Sequence, residues 1–197
     1  CHAVADTTDL PVMLYDIPAR TGIPFSTDTL VTLAEHPNIV AVKDAKGDLA
    51  EVSRVLNQTD LYYFCGDDAL VLPSLAIGAT GLIGVTANIA PMPYRHIVDA
   101  VNAGDLKAAT AAHKSLEPLV RATMTHIPAT VAVKYILHGL GRIGSPRVRL
   151  PLVGPEDWEA AKIEDELALV SGIEGVDFRN FRPDRNAAAG GALPRVH

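Results

Sequence analysis

The chain has 197 residues, of which 48% are apolar and 20% are charged, and its formal net charge is −6. This length and apolar content are enough to bury a core and argue against general disorder. The negative charge and the low aromatic content of 5% disfavour partners such as nucleic acid or an anionic membrane surface. No apolar run approaches the roughly 20 residues of a membrane-spanning helix.

Four short apolar segments rich in β-branched residues predict strands at 11–17, 39–44, 61–65 and 81–85. Most are almost continuously apolar rather than alternating, which is typical of parallel strands buried on both faces. Helical patterns at 26–36, 48–58 and 68–78 separate them. The alternation of strand and helix predicts βαβ units and an α/β fold.

The pattern changes after the fourth strand. Helices are predicted at 92–102, 106–124, 129–139 and 155–170, with no strands between them. The sequence therefore divides into a strand-and-helix region at 1–90 and a helical region at 91–170. The remaining segment, 171–197, is rich in Gly, Pro, Arg and Asn and is expected to be a disordered tail.

Two cysteines, Cys1 and Cys65, are too few for a disulfide framework or a cysteine metal cluster, and a reducing cytoplasm is the simplest compartment. The chain does not begin with Met, and its first six residues resemble the end of a helix. We therefore expect a fragment whose natural start lies upstream.

Lys43 follows the apolar residues 39–42 directly, so it is placed at the carboxyl end of a buried strand. A lysine in apolar surroundings has a lowered pKa and can form a Schiff base as a free amine. The alternative is a strand-end lysine whose ammonium reaches water.

Tyr15 lies near the end of the first strand and Arg20 follows it in a turn set by Pro18 and Gly22. A phenol can relay protons, and an arginine in such a loop can bind a carboxylate through two hydrogen bonds. Taken alone, Tyr15 is as well explained as a core tyrosine, and Arg20 as a solvated arginine. With Lys43 and Asp67, however, they share the carboxyl edge of the predicted sheet, where parallel α/β proteins place their active sites.

The glycine-bearing run at 78–84 leads into a strand and lacks the Gly-Lys-Ser/Thr ending of a phosphate loop, so we interpret it as a helix-to-strand turn. The seven histidines show no metal-ligand spacing, and no catalytic metal is predicted.

Several segments together resemble the dihydrodipicolinate synthase family. Leu14-Tyr-Asp-Ile-Pro-Ala-Arg-Thr-Gly22 is similar to its Tyr-x-x-Pro-x-Arg-Thr-Gly segment, and the run at 39–48 is similar to its Schiff-base lysine strand. The separation of Tyr15 from Lys43 agrees with the family spacing. Further similarity lies at 66–68, 78–88 and 148–152, so the resemblance extends over about residues 1–170.

The resemblance implies the C-terminal half of a (β/α)₈ barrel, about four parallel strands, followed by a C-terminal helical region. It implies condensation of pyruvate with aspartate semialdehyde on the route to diaminopimelate and lysine, without a cofactor or metal. Lys43 would form the imine with pyruvate and Tyr15 would relay protons. Arg20 would bind the carboxylate of the aldehyde, the backbone near Ile83 would contact pyruvate, and Gly66 would line the pocket.

Two alternatives remain at this point. One is another pyruvate-dependent aldolase of the same fold, similar to N-acetylneuraminate lyase, although Arg20 favours the synthase. The other is a non-catalytic truncated chain. Gly84 stands where the family usually has serine, and the family's Gly-Thr-Thr-Gly-Glu loop and second tyrosine are expected in a missing half. The resemblance also implies a homotetramer for the full-length protein, whereas this chain alone is expected to be poorly soluble or self-associated.

Overall fold

The computed structural model describes residues 1–183. They form two compact units, one made of Cys1–Gly84 with Ile97–Ala109 and the other of Val85–His96 with the described residues from Thr110 onward. The first unit contains the entire sheet. The division at residue 90 that the sequence suggested stays a prediction.

The sheet has four parallel strands in the spatial order β1-β2-β3-β4: Val12–Asp16, Ile39–Asp44, Tyr62–Cys65 and Gly81–Leu82. All four predicted strands are therefore present. The last is shorter than the predicted 81–85. The Ile83 amide still donates to the Cys65 carbonyl at 2.9 Å, after which the chain turns into a 3₁₀ helix, Thr86–Asn88.

Two helices of this unit begin directly after Ser26 and Asp48, the polar residues at which the predicted helical patterns start. Helix α1 is His2–Ala5, α2 is Pro18–Thr21, α3 is Thr27–Ala34, α4 is Leu49–Leu56, and α5, Val71–Ala76, follows a 3₁₀ helix at Asp68–Leu70. The Ser26 and Asp48 side chains accept hydrogen bonds from the amides of Thr29 and Glu51, which caps α3 and α4. The short α2 was predicted only as a turn.

Neighbouring side chains along each strand lie on opposite faces of the sheet. Leu14, Val42 and Tyr63 are almost fully buried in a cluster that includes residues of α3 and α4. Their sequence neighbours Tyr15 and Lys43 are paired in register and lie on the other face. Tyr15 is 46% exposed there, so the two faces differ sharply in their surroundings.

Helices follow the sheet without further strands among the described residues: α6 is Pro91–Asn102, α7 is Leu106–Met124, α8 is Ala129–Gly139 and α9 is Asp157–Leu169. Arg121 of α7 binds the Glu166 carboxylate of α9 at 2.6 Å and 3.0 Å. The Tyr135 hydroxyl of α8 donates to Glu164 at 2.6 Å. No helix within residues 1–183 combines the length and apolarity required to cross a membrane.

The segment after α9 is folded as far as the structure describes it. Ile173 is buried, a 3₁₀ helix covers Phe178–Asn180, and the Phe181 ring meets the Tyr135 ring edge-on at 6.0 Å. The Arg182 amide donates to the Gly139 carbonyl at 2.8 Å. The rest of the segment predicted as a disordered tail, 184–197, lies outside the described residues.

Candidate active site

Lys43 and Tyr15 come together at the carboxyl edge of the sheet. They are register partners on β2 and β1, and the Lys43 Nζ lies 4.1 Å from the centroid of the Tyr15 ring. Tyr15 is half-exposed and Lys43 is only partly buried, so a small molecule can reach both side chains. An amine in van der Waals contact with a phenol ring, open to a ligand, is suited to attack a carbonyl while the phenol handles protons.

Arg20 lies just beyond this pair, on the short helix α2 that follows β1. Gly22 caps the carboxyl end of this helix, and its φ of +88° is a left-handed conformation that favours glycine. The turn therefore places Arg20 in the loop above the carboxyl edge, with its side chain exposed. A guanidinium there can bind a carboxylate that enters from solvent.

Gly66 and Ile83 lie at the ends of β3 and β4. The Gly66 amide donates to the Asp44 carbonyl at 2.6 Å, and a Cβ at Gly66 would lie 2.8 Å from that oxygen. Only glycine allows the two strand ends to approach so closely. Ile83 is 38% exposed, with its amide bonded to Cys65.

Two other residues at this edge have local structural roles. Asp67, which the sequence grouped with the candidate site, accepts from the Ala69 amide at 2.9 Å and caps the 3₁₀ helix. A Cβ at Gly84 would lie within 3.0 Å of Asp68 carboxylate atoms, so a side chain there requires Asp68 to shift.

Sequence reasoning missed a buried ion network beneath the pair. The Lys46 Nζ lies 3.1 Å from Asp16, 3.0 Å from Glu51 and 3.7 Å from Asp44, and the lysine side chain is only 6% exposed. The Tyr63 hydroxyl donates a hydrogen bond to Asp44. We call Lys46, Asp16, Asp44, Glu51 and Tyr63 the Lys46 network.

This network is held by backbone groups as well. The Phe25 amide donates to the Asp16 carboxylate at 3.2 and 3.3 Å, and the Phe25 carbonyl accepts from Lys46 Nζ at 3.2 Å. The Lys46 amide donates to Asp44 at 2.7 Å. Although three carboxylates converge here, the ammonium lies among them, and the described residues contain no group of His, Cys, Asp and Glu arranged to hold a metal ion.

Two pKa values in this network lie above their ordinary values, those of Lys46 and Tyr63. Burial lowers the pKa of Lys46, but hydrogen bonds to Glu51 and Asp16 and the charge of Asp44 outweigh it, so the pKa lies above the ordinary lysine value. Burial raises the pKa of Tyr63, and the adjacent Asp44 carboxylate raises it further. Lys46 is therefore a cation and Tyr63 a neutral donor at neutral pH.

The sequence did carry a signal for this network. Asp16 directly follows Tyr15 and Asp44 directly follows Lys43. The alternation of strand side chains places both aspartates on the face opposite the pair, where helices cover the sheet. Two carboxylates on a buried face require a cation, and Lys46 is two residues beyond Asp44.

Comparisons with known proteins bear on this arrangement. The model of the dihydrodipicolinate synthetase family matches residues 1–169. The 4-hydroxy-tetrahydrodipicolinate synthase of Kineococcus radiotolerans is 51% identical over 166 residues, which are 84% of this chain and 54% of that protein.

Solved structures of dihydrodipicolinate synthases are also similar to this chain. A chloride-inhibited dihydrodipicolinate synthase from Acinetobacter baumannii, complexed with pyruvate, is 32% identical with a TM-score of 0.80, over 85% of this chain and 58% of the other. A structure described as the first monomeric dihydrodipicolinate synthase variant is 26% identical with a TM-score of 0.80. The match covers 85% of this chain and 57% of the other.

The chain spans about half the length of the curated relatives it matches. Together with the parallel order of the four strands, these likenesses confirm the predicted fold class: part of a (β/α)₈ barrel followed by helices.

Proposed function

Because the chain belongs to the dihydrodipicolinate synthetase family, we propose that its protein condenses pyruvate with aspartate semialdehyde to 4-hydroxy-tetrahydrodipicolinate through an imine on Lys43. The observation that carries this proposal is the contact of Lys43 Nζ with the Tyr15 ring, 4.1 Å from its centroid, at the carboxyl edge of the sheet. Relatives with the corresponding name support the choice of reaction. The product would enter the diaminopimelate and lysine pathway.

In the first half of the proposed mechanism the unprotonated Lys43 amine attacks the ketone carbon of pyruvate. The resulting carbinolamine loses its hydroxyl as water, with a proton delivered by Tyr15, and an imine forms. The Tyr15 phenolate then takes up a methyl proton, and an enamine forms because the imine nitrogen accepts the electron pair. Gly66 and the backbone near Ile83 border the pyruvate in this arrangement.

In the second half the enamine carbon attacks the aldehyde carbon of aspartate semialdehyde. Arg20 binds the carboxylate of that substrate and so holds the aldehyde in line with the nucleophile. Tyr15 returns a proton to the new alkoxide, and the substrate's amine closes the ring as Lys43 is released. Every group assigned a role lies at or beyond the carboxyl ends of β1 to β4.

The proposal is tested by trapping the imine in the protein expressed from its natural reading frame. Incubation with pyruvate and borohydride should leave a reduced adduct on Lys43, and fragmentation of the peptide must separate Lys43 from Lys46, three residues away. Lys43→Arg should give no adduct. Lys107→Met removes an exposed lysine of α7 and should be trapped like the wild type. An adduct absent from the folded wild type would contradict the proposal.

The second candidate function is an aldolase acting on a sugar acid, and the position of Arg20 favours the synthase. If Arg20 binds the carboxylate of aspartate semialdehyde, Arg20→Ala should raise the KM for this substrate about tenfold or more and leave imine trapping with pyruvate unchanged. Turnover of N-acetylneuraminate in preference to aspartate semialdehyde would support the second candidate instead.

A homotetramer is the assembly we propose for the enzyme, although one related structure is a monomeric variant. Light scattering after size-exclusion chromatography distinguishes the two, since a tetramer and a monomer differ fourfold in mass.

A further inference from the structure

We propose that Lys46 is a positioning residue, which holds Tyr15, Lys43 and the Arg20 loop in a fixed mutual arrangement through its ion pairs with Asp16 and Asp44. The inference rests on the proposed function, because the groups it positions are those assigned to the reaction. Lys46 itself lies on the far side of the sheet and touches no substrate.

Lys46 is connected to the reacting pair through two aspartates. Asp16 is the residue after Tyr15 on β1, and Asp44 is the residue after Lys43 on β2. The Lys46 ammonium lies 3.1 Å from one carboxylate and 3.7 Å from the other, so one cation joins the two strand ends. Both aspartates are almost fully buried, and the ammonium cannot be replaced there by water without leaving their charge uncompensated.

The Lys46 ammonium also binds the loop that carries Arg20. This loop leaves β1 at Ile17 and returns at Phe25, just before the Ser26 cap of α3. The Phe25 carbonyl accepts from Lys46 Nζ at 3.2 Å, and the Phe25 amide donates to Asp16. The far end of the loop is therefore held by the same network as the two strands.

The third carboxylate of the network provides an internal control. Glu51 lies 3.0 Å from Lys46 Nζ, nearly the same distance as Asp16, but it belongs to α4. Its other oxygen accepts from Thr27 at the start of α3, away from the reacting strands. Asp16→Asn and Glu51→Gln thus remove the same charge from the same ammonium and keep the side-chain shape, but only the first acts on a strand that carries a reacting group.

The experiment measures the rate of borohydride trapping of pyruvate on Lys43 in these two variants and in Lys46→Met. Asp16→Asn and Lys46→Met should lower this rate about tenfold or more, because small displacements of reacting groups cost up to about a hundredfold. Glu51→Gln should stay within about twofold of the wild type. In the full reaction, Asp16→Asn should also raise the KM for aspartate semialdehyde, since the Phe25 end of the Arg20 loop is loosened.

A lower trapping rate that results from reduced stability of the fold must be distinguished from one that results from displaced reacting side chains. Val55→Ala on α4 opens a cavity in the core beside the network and makes none of its hydrogen bonds, so it should destabilise the fold without changing the trapping rate at a temperature where it is folded. Lys46→Arg retains the cation and should lie closer to the wild type than Lys46→Met. If Lys46→Met does not fold, the difference in trapping rate between Asp16→Asn and Glu51→Gln still tests the positioning role.

Equal trapping rates in Asp16→Asn and the wild type, or equal losses in Asp16→Asn and Glu51→Gln, would overturn the positioning role. A wild type that forms no adduct would contradict the proposed function instead. In that case the NMR resonances of the Tyr15 ring, labelled with ¹³C, still test the inference: they should shift in Asp16→Asn and not in Glu51→Gln, and identical spectra would overturn it.

Discussion

The two faces of the sheet at its carboxyl edge differ in almost every physical respect. On the open face the Lys43 ammonium lies against the Tyr15 ring, and Tyr15 is half-exposed. On the covered face, one residue further along each strand, Asp16 and Asp44 are buried against Lys46. One face of the sheet is thus open to small molecules, whereas buried ion pairs restrain the strand ends on the other face.

The same backbone connects the two faces. Because successive strand residues point in opposite directions, a restraint on Asp16 or Asp44 also limits the movement of Tyr15 or Lys43. The Ala45 amide, which donates to the Asp16 carbonyl at 2.8 Å, adds a backbone bond across the same strand ends. Substitutions on the covered face should therefore affect stability first, and those on the open face should affect chemistry.

The largest effect on stability is expected on the covered face from Lys46→Met. This change leaves three carboxylates, Asp16, Asp44 and Glu51, around a position without its cation. We expect a loss of about 3–5 kcal/mol in the free energy of unfolding, because breaking a buried ion pair leaves uncompensated charge. Urea unfolding followed by circular dichroism measures it. A loss below about 1 kcal/mol would mean that the network is only weakly coupled to folding.

Tyr15→Phe tests the open face. If the hydroxyl relays protons, its removal should lower the rate of condensation about a hundredfold. The ring contact with Lys43 is retained, and the hydroxyl belongs to a half-exposed side chain, so the unfolding free energy should change by less than about 0.5 kcal/mol. A variant with full activity would remove Tyr15 from the mechanism.

Gly66→Ala tests the close approach of Gly66 to the end of the neighbouring strand β2. The added Cβ would be 2.8 Å from the Asp44 carbonyl oxygen, and backbone must move to relieve this contact. We expect a loss of about 1–3 kcal/mol in the unfolding free energy, measured by urea titration. Gly144→Ala, where an added Cβ meets no atom within 4 Å and the backbone is not left-handed, is the matched control and should change the unfolding free energy by less than about 0.5 kcal/mol.

The last effect is a gradual decline in stability at alkaline pH. The pKa values of Lys46 and Tyr63 are both raised in the folded state. The stability they contribute is therefore complete below their unfolded pKa values, near 10, and is lost as the pH rises through the folded values. Urea unfolding between pH 8 and 11 should show a decrease of up to about 1.4 kcal/mol per pH unit for each group.

Tyr63→Phe should make this decrease less steep, since one of the two titrating groups is removed. A slope that is unchanged in Tyr63→Phe would show that Tyr63 does not contribute to the alkaline transition.

Much of the fold could be predicted from local patterns. The strand at 39–44 and the helices at 106–124 and 129–139 have the predicted bounds, since long or uniformly apolar segments determine their own element type. The caps Ser26 and Asp48 also behave as their residue types suggest. The helix predicted at 68–78 was less accurate, because its first turn is a 3₁₀ helix capped by Asp67.

The sequence by itself determined the βαβ order, the carboxyl edge as the location of Tyr15, Arg20 and Lys43, and the family to which these motifs belong. Such features depend on residues close together in the chain, whose spacing is visible directly. Only the tertiary structure decided that Tyr15 and Lys43 are register partners, and that Lys46, Asp16, Asp44 and Glu51 share one buried site. Contacts between separate elements depend on strand register and helix packing, which no local pattern specifies.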